Sequence, residues 1–235
     1  MRKSDLTHDR PTDVIPGNDC ICKRGGRGYL EEPGNLQELI VRHCSPTLAG
    51  LKCGNLFRVS SDAHGLSDTV AGIESGLLDK GIRIRILRTA VGDSLVYVYR
   101  PDQVEARLEE DAVRMFLQNE GYDVDDPGSL VDELERRFVY GIPHEIGVFL
   151  GYPIDDVLGY IAHEGKDYVC LGCWKAYSDP EGARRMFRIL KICRRMCEDC
   201  HSRGIPLERL AVRTSCQASA ASFCSTRPCG LRGSC

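Results

Sequence analysis

Two adjoining stretches of β-forming residues constrain the fold of this chain more than any other feature. Residues 82–86 alternate isoleucine with arginine, which is the period of a strand with one buried face. After a turn at Gly92–Asp93, residues 95–99 are again all β-formers. The pattern therefore predicts a β-hairpin over residues 82–99.

Helical periodicity appears on both sides of the hairpin. Apolar residues at helical spacing predict a helix from Leu36 that Pro46 ends, and a second helix from an N-cap at Ser67 to Lys80 with Gly81 as its left-handed cap. Further helices are expected to begin near Pro101, Ser129, Pro143 and Pro153, and strand-like patterns occupy residues 51–59 and 168–177. The last helix is expected to start after Ser178 or Asp179, with Pro180 at its first position, and to end at Gly204. Because strands and helices do not alternate strictly, a doubly wound parallel sheet is disfavoured. The predicted fold is α+β, with a small, mostly antiparallel sheet that includes the hairpin 82–99 and packs with about seven helices.

The two ends of the chain differ from the segment between them. Residues 1–33 mix charges with proline and glycine and show no sustained period, while residues 213–235 are rich in serine, cysteine and arginine and contain no acid. We therefore expect a disordered arm over 1–33, a single α+β domain over 34–212, and a disordered tail over 213–235.

Charge and apolar run length limit the classes of partner. The formal net charge is −3, too small for the bulk field to imply a nucleic-acid or membrane partner. No apolar run reaches the roughly 18 residues of a membrane span, and residues 1–10 lead into no signal-peptide core. We therefore expect a cytoplasmic protein. In that reducing compartment its 13 cysteines would be thiols, metal ligands or redox groups rather than a disulfide framework.

Four stretches carry a resemblance to a known family. They are RHCSPTLAGLK at 42–52, the hairpin 82–100, PHEIGVFLGYP at 143–153, and residues 165–179. Together they resemble the bacterial, mainly clostridial, family called domain of unknown function 3793, over roughly residues 35–212. The sequence departs from that pattern at Cys53–Gly54, where a proline is expected, and in its cysteine-rich tail.

The resemblance implies no activity, cofactor or catalytic residue. It does imply a setting near flavodoxins and iron-related functions. We therefore expect a non-catalytic binding or accessory protein in anaerobic redox or iron metabolism.

A basic helical face is the best candidate for a binding surface. Residues 184–195 contain no acid, and four cations recur at i, i+4, i+7 and i+11, so they share one face: Arg184, Arg188, Lys191 and Arg195. Such a face is commonly no more than a solvated surface. As a functional surface it would bind an acidic protein such as a flavodoxin, with a phosphate-bearing cofactor or RNA as the alternatives.

Two cysteine pairs have the spacing of a metal site. Cys170 and Cys173 form one C-x2-C unit, and Cys197 and Cys200 form another, which is compatible with a tetrahedral thiolate site. The second pair, however, lies inside a predicted helix, and a chain of this size can fold without a metal. We therefore predict that the four sulfurs do not converge and that no metal is bound.

Two other functions remain open. A thiol-dependent enzyme would centre on Cys44, with His43 adjacent and His64 and His144 as more distant candidates for the base. A helix-turn-helix DNA binder would use the short helices that open at Pro143 and Pro153. The second of these begins with two aspartates that would face phosphates, so DNA binding is disfavoured.

Overall fold

The structure is a computed structural model that describes residues 35–59, 63–88 and 94–214. The helices within these ranges are α1 (Leu36–Leu48), α2 (Ala63–Ser75), α3 (Pro101–Glu105), α4 (Asp111–Asn119), α5 (Leu130–Arg137), α6 (Ile146–Phe149), α7 (Ile154–Ala162), α8 (Pro180–Ser202) and α9 (Leu207–Leu210). The strands are β1 (Gly54–Val59), β2 (Arg83–Arg88), β3 (Ser94–Tyr99), β4 (Cys170–Leu171) and β5 (Lys175–Ala176). The chain is thus a mostly helical α+β protein, as predicted. The arm 1–33 and nearly all of the tail lie outside the described residues, so their predicted disorder stays a prediction.

The central sheet has three antiparallel strands in the order β1-β3-β2. β3 is the middle strand, and its Val98 lies opposite Asn55 of β1 and Ile84 of β2. All six residues of β3 are buried, and because side chains alternate along a strand, both faces of the sheet are covered. The predicted hairpin 82–99 is confirmed, although its Gly92–Asp93 turn lies outside the described residues.

Apolar cores lie on both faces of this sheet. The first core joins α1, α2 and α9 to the sheet through residues such as Ile40 and Val96. The second core joins the sheet to helices α3–α8 through residues such as Tyr97 and Phe149. α8 contributes to both, since Leu190 lies in the second core and Cys197 packs against the first. Within the described part of the chain, every helix is too short or too polar to span a bilayer.

The prediction that Pro46 ends the first helix is wrong. α1 continues to Leu48, although proline cannot donate a hydrogen bond to the preceding turn. Thr47 Oγ1 donates a hydrogen bond of 2.8 Å to Asn55 of β1, and Leu48 is fully buried. These contacts hold the last turn against the sheet, and tertiary packing therefore outweighs the local penalty of the proline.

Two other helix boundaries also differ from the sequence pattern. α2 begins at Ala63 rather than after Ser67, and it ends at Ser75. A short 3₁₀ helix over 78–80 then leads into Gly81, whose φ of 70° gives the expected left-handed cap. The segment after Pro101 is divided into α3 and α4 by a second 3₁₀ helix over 106–109.

Arg100 is a fully buried cation at the end of β3 that sequence patterns do not single out. Its guanidinium ties together the end of α1, the turn before β2 and the segment after α9. Burial lowers its pKa, with the Asp102 carboxylate acting in the opposite direction. It donates hydrogen bonds to the Thr47, Leu48, Lys80 and Val212 carbonyls at 2.7, 2.8, 2.9 and 2.8 Å, and to Thr214 Oγ1 at 3.2 Å.

Candidate functional site

The longest described helix, α8, starts and ends where the sequence indicated. Asp179 is its N-cap, and its Oδ1 accepts hydrogen bonds from the amides of Glu181 and Gly182 at 3.2 and 3.0 Å. Pro180 occupies the first helical position, where its missing amide has no cost. Gly204 adopts a φ of 87° just beyond the C-terminus. The residues at its two ends therefore determine where the helix that carries the basic residues begins and ends.

The four cations Arg184, Arg188, Lys191 and Arg195 are exposed, and among the described residues none forms an ion pair with a carboxylate. Nearby arginines behave differently, since Arg203 pairs with Asp199 at 2.9 Å. Beside the cations lie three exposed apolar side chains, Ile189, Ile192 and Met196, at 36, 57 and 60 % exposure. These seven residues are called the α8 face below. It is a cationic strip, flanked by apolar surface, that no described acid neutralises.

A cavity lies on the side of α8 that faces the protein. Ala183, Met186 and Leu190 line one wall of a space of about 420 Å³. The remaining lining residues come from the α1–β1 connection, the start of α7 and the β5 region, and they include Leu51, Lys52, Gly151, Pro153, Asp155, Asp156, Trp174, Ser178 and Asp179. Lys52 and Trp174 are buried, whereas Asp155 and Ser178 are exposed, so the buried residues form its floor and the exposed ones its rim. We call it the Lys52 cavity.

Lys52 is the unusual residue of this cavity. Its side chain is only 7 % exposed, and in the described structure it has no hydrogen bond or ion pair. Its Nζ lies 4.9 Å from the centroid of the Tyr152 ring, a cation–π distance. Burial lowers the pKa of this amine. Lysine is almost never buried without a partner, so the position calls for an explanation.

Two of the thiols near Lys52, Cys44 and Cys53, do not provide a counter-ion. Together with Cys173 they would favour the ammonium only as thiolates. Burial raises the pKa of Cys44 and of Cys53, so both remain neutral thiols at physiological pH. Burial is the largest influence on the Lys52 amine and shifts it toward the neutral form.

Asp156, although buried in the same cavity, is fully used by the fold. Its Oδ2 accepts a hydrogen bond of 2.7 Å from Trp174 Nε1. Its Oδ1 accepts from the Tyr177 amide at 2.8 Å and from the Ser178 amide and hydroxyl at 3.0 Å. This carboxylate fixes the indole and the segment that leads into α8. Sequence reasoning assigned the residue only to a helix start.

The two cysteine pairs lie in different parts of the structure. Cys170 is in β4 and Cys173 in the turn after it, and both pack against the second core. Cys197 and Cys200 lie along α8, and Cys197 packs against the first core. Among residues 35–59, 63–88 and 94–214, no three His, Cys, Asp or Glu side chains are arranged to hold a metal ion. Cys170 and Cys173 therefore belong to one core and Cys197 to the other, although the two pairs have the same spacing in the sequence.

Cys44, His43 and His144 have separate described contacts. Cys44 is fully buried in α1, whereas His43 stacks on Phe57 with ring centroids 5.3 Å apart. His144 lies beside Tyr160, at a crevice of about 10 Å³ that has room for roughly one water molecule. The side chain of His64 lies outside the described part of the structure.

A thiol with a lowered pKa lies elsewhere in the described structure: a hydrogen bond from Cys193 lowers the pKa of Cys197. No sequence motif distinguishes that pair, because its effect depends on contact between successive helical turns.

A sequence model of the family described as protein of unknown function (DUF3793) matches residues 40–211. The chain belongs to this family. No curated protein and no solved structure matches the chain.

The DUF3793 match covers both features described above. Residues 40–211 include the whole α8 face and every residue that lines the Lys52 cavity. The family description names no substrate or partner. The function of this DUF3793 protein has to be argued from the chemistry of these two surfaces.

Proposed function

We propose that this DUF3793 protein is a non-catalytic binding protein that docks an acidic protein partner through the α8 face. The observation that carries the proposal is the set of four exposed cations on one helix face without a carboxylate partner in the described structure. Unneutralised charge of one sign raises the rate at which an oppositely charged protein associates.

The apolar part of the α8 face supports protein binding over a purely ionic contact. Ile192 and Met196 are more than half exposed on a helix whose other side is packed. Protein interfaces are enriched in methionine and arginine and combine an apolar centre with a charged rim. A free phosphate or a small anionic cofactor would use the cations but would leave these apolar side chains in water.

The partner we favour is a flavodoxin-like acidic protein in anaerobic redox or iron metabolism. Support comes from the positive sign of the surface and from the family resemblance. Six described cysteines are free thiols, which is typical of proteins in a reducing cytoplasm: Cys44, Cys53, Cys170, Cys193, Cys197 and Cys200. Cys44, the centre of the enzymatic alternative, is buried with a raised pKa, which gives that alternative no support.

The test is a pair of matched charge reversals. R188E/K191E changes the α8 face by four charge units, and R136E/K166E makes the same change at two exposed cations that already pair with acids. Binding of a purified flavodoxin is measured by biolayer interferometry between 50 mM and 500 mM salt. We expect the first variant to lose at least about tenfold in affinity, equivalent to about 1.4 kcal/mol, and the second to lose less than about twofold.

Salt provides the second readout. The wild-type affinity should fall as salt rises, because the Debye length shortens from about 10 Å at 0.1 M to about 3 Å at 1 M. Equal losses in both variants would show that only net charge matters. Salt-independent binding, or binding that R188E/K191E leaves unchanged, would contradict docking through the α8 face.

A further inference from the structure

We propose that the Lys52 cavity is a binding site for a small, neutral, apolar aldehyde or ketone, which forms an imine with the Lys52 amine. This site is separate from the α8 face. The cavity residues Ala183, Met186 and Leu190 and the cations of the α8 face lie on opposite sides of one helix.

The size and lining of the cavity suit a small organic molecule. Ligand pockets occupy about 300–1,000 Å³, and this one has about 420 Å³. Its walls are largely apolar, with Leu51, Trp174, Met186 and Leu190 contributing side chains. A pocket of this kind usually has a few polar groups that orient the ligand. Here the candidate group is the amine of Lys52, whose side chain is 7 % exposed and which has no hydrogen bond or ion pair among the described residues.

Packing does not explain why a lysine lies at this position. An amine taken out of water without a hydrogen bond or counter-ion destabilises the folded state. Asp156, the other buried polar residue of the cavity, is compensated by four hydrogen bonds. Lys52 has no hydrogen bond or ion pair among the described residues, and its Nζ lies over the face of the Tyr152 ring. A bound carbonyl compound would provide the partner that the protein does not.

The charges around the cavity favour a neutral ligand over an anion. Asp155 and Asp179 are exposed and Asp156 is buried, so the lining of the cavity contains three carboxylates and a single amine. An anionic ligand would have to pass these carboxylates. A lysine in an apolar pocket, by contrast, is activated as a nucleophile toward carbonyl groups because desolvation favours its neutral form.

The covalent step needs no oxidant or reductant. The nitrogen lone pair of Lys52 attacks the carbonyl carbon, the C–N bond forms, and the former carbonyl oxygen takes up a proton while the nitrogen loses one. The hydroxyl then leaves as water with a further proton, and the second N–H proton passes to solvent as the C=N bond forms. The sum is amine plus carbonyl giving imine plus water, with protons exchanged at the open rim.

Reductive trapping tests the site in the intact chain. The protein is incubated at pH 7 with hexanal and cyanoborohydride, and alkylation of each lysine is followed by peptide mass spectrometry. We expect Lys52 to react at least about tenfold faster than the exposed Lys166 and Lys191, because burial in the cavity lowers the pKa of the Lys52 amine. The selectivity should disappear in 8 M urea, since it depends on the folded cavity.

Two comparisons make the result specific. Glyoxylate, an aldehyde with a carboxylate, should label Lys52 more slowly than hexanal does. K175M removes another partly buried lysine, one that donates to the Gly165 carbonyl at 2.7 Å, and it should leave labelling of Lys52 unchanged. Lys52 labelling no faster than that of Lys166, or selectivity that survives in urea, would overturn the site. Equal rates with glyoxylate would overturn the neutral class of ligand.

Discussion

Replacing Arg100 by methionine should destabilise the protein strongly, because this guanidinium joins three segments that are distant in sequence. The carbonyls of Thr47 and Leu48 keep second donors, the amides of Gly50 and Val212. Those of Lys80 and Val212 have no other donor among the described residues. An unsatisfied buried carbonyl costs about 1–3 kcal/mol, and these two are partly buried, so each should cost an amount near the lower end of that range. Loss of both donors should therefore lower the free energy of unfolding by about 2 kcal/mol.

For a domain of this size that loss corresponds to a fall in Tm of roughly 4–8 °C. The assay is urea unfolding followed by circular dichroism, with thermal melts as a second measure. R83M is the matched control, because Arg83 is 53 % exposed and its nearest carboxylate, on Glu74, is 3.9 Å away. The control should change stability by less than about 0.5 kcal/mol. A loss below about 1 kcal/mol in R100M would refute the reasoning that these carbonyls depend on Arg100.

Thiol labelling at pH 7, measured by mass spectrometry, should modify Cys197 much faster than Cys44 in the folded protein. A hydrogen bond lowers the pKa of Cys197, whereas burial raises the pKa of Cys44. Faster labelling of Cys44 would support the thiol-enzyme hypothesis. R188E/K191E should leave Tm nearly unchanged, since both positions are exposed, and a shift above about 3 °C would mean that they support the fold. Folding lowers the pKa of Lys52 below its value in the unfolded chain, which is about 10.4. At a pH between the folded and the unfolded pKa, the unfolded state binds more protons. The unfolding free energy should therefore rise with pH up to about 10.4. K52M should therefore be more stable than wild type near pH 7, by a margin that shrinks as pH rises, and urea titrations from pH 7 to 10 that show parallel curves would contradict the buried amine. Chelation of metal ions should leave Tm unchanged, and a fall would point to a metal that supports folding.

The sequence was sufficient to predict those helices and strands whose caps, turns and alternation patterns lie within a few residues of each other. The alternation over 82–86 and the β-formers over 95–99 predicted a hairpin that pairs as expected. The start of α8 at Asp179–Pro180 and its end at Gly204 could also be predicted from the sequence, because helix caps and left-handed turns depend on neighbouring residues. Since α8 is a regular helix, the sequence also determined that its four cations share a face.

Only the tertiary structure decided which side chains are buried and which meet. Pro46 lies within α1 because contacts with β1 stabilise the last turn of the helix. The sequence of the helix alone does not predict those contacts. The two cysteine pairs have the same internal spacing, but Cys170 and Cys173 pack against one core and Cys197 against the core on the other face of the sheet.

Lys52 and Arg100 look like ordinary charged residues in the sequence, yet one lines the floor of a cavity and the other joins three segments. The physical reason is common to both. The environment of a side chain is made by residues far away in sequence, and the cost or value of a buried charge depends on that environment alone.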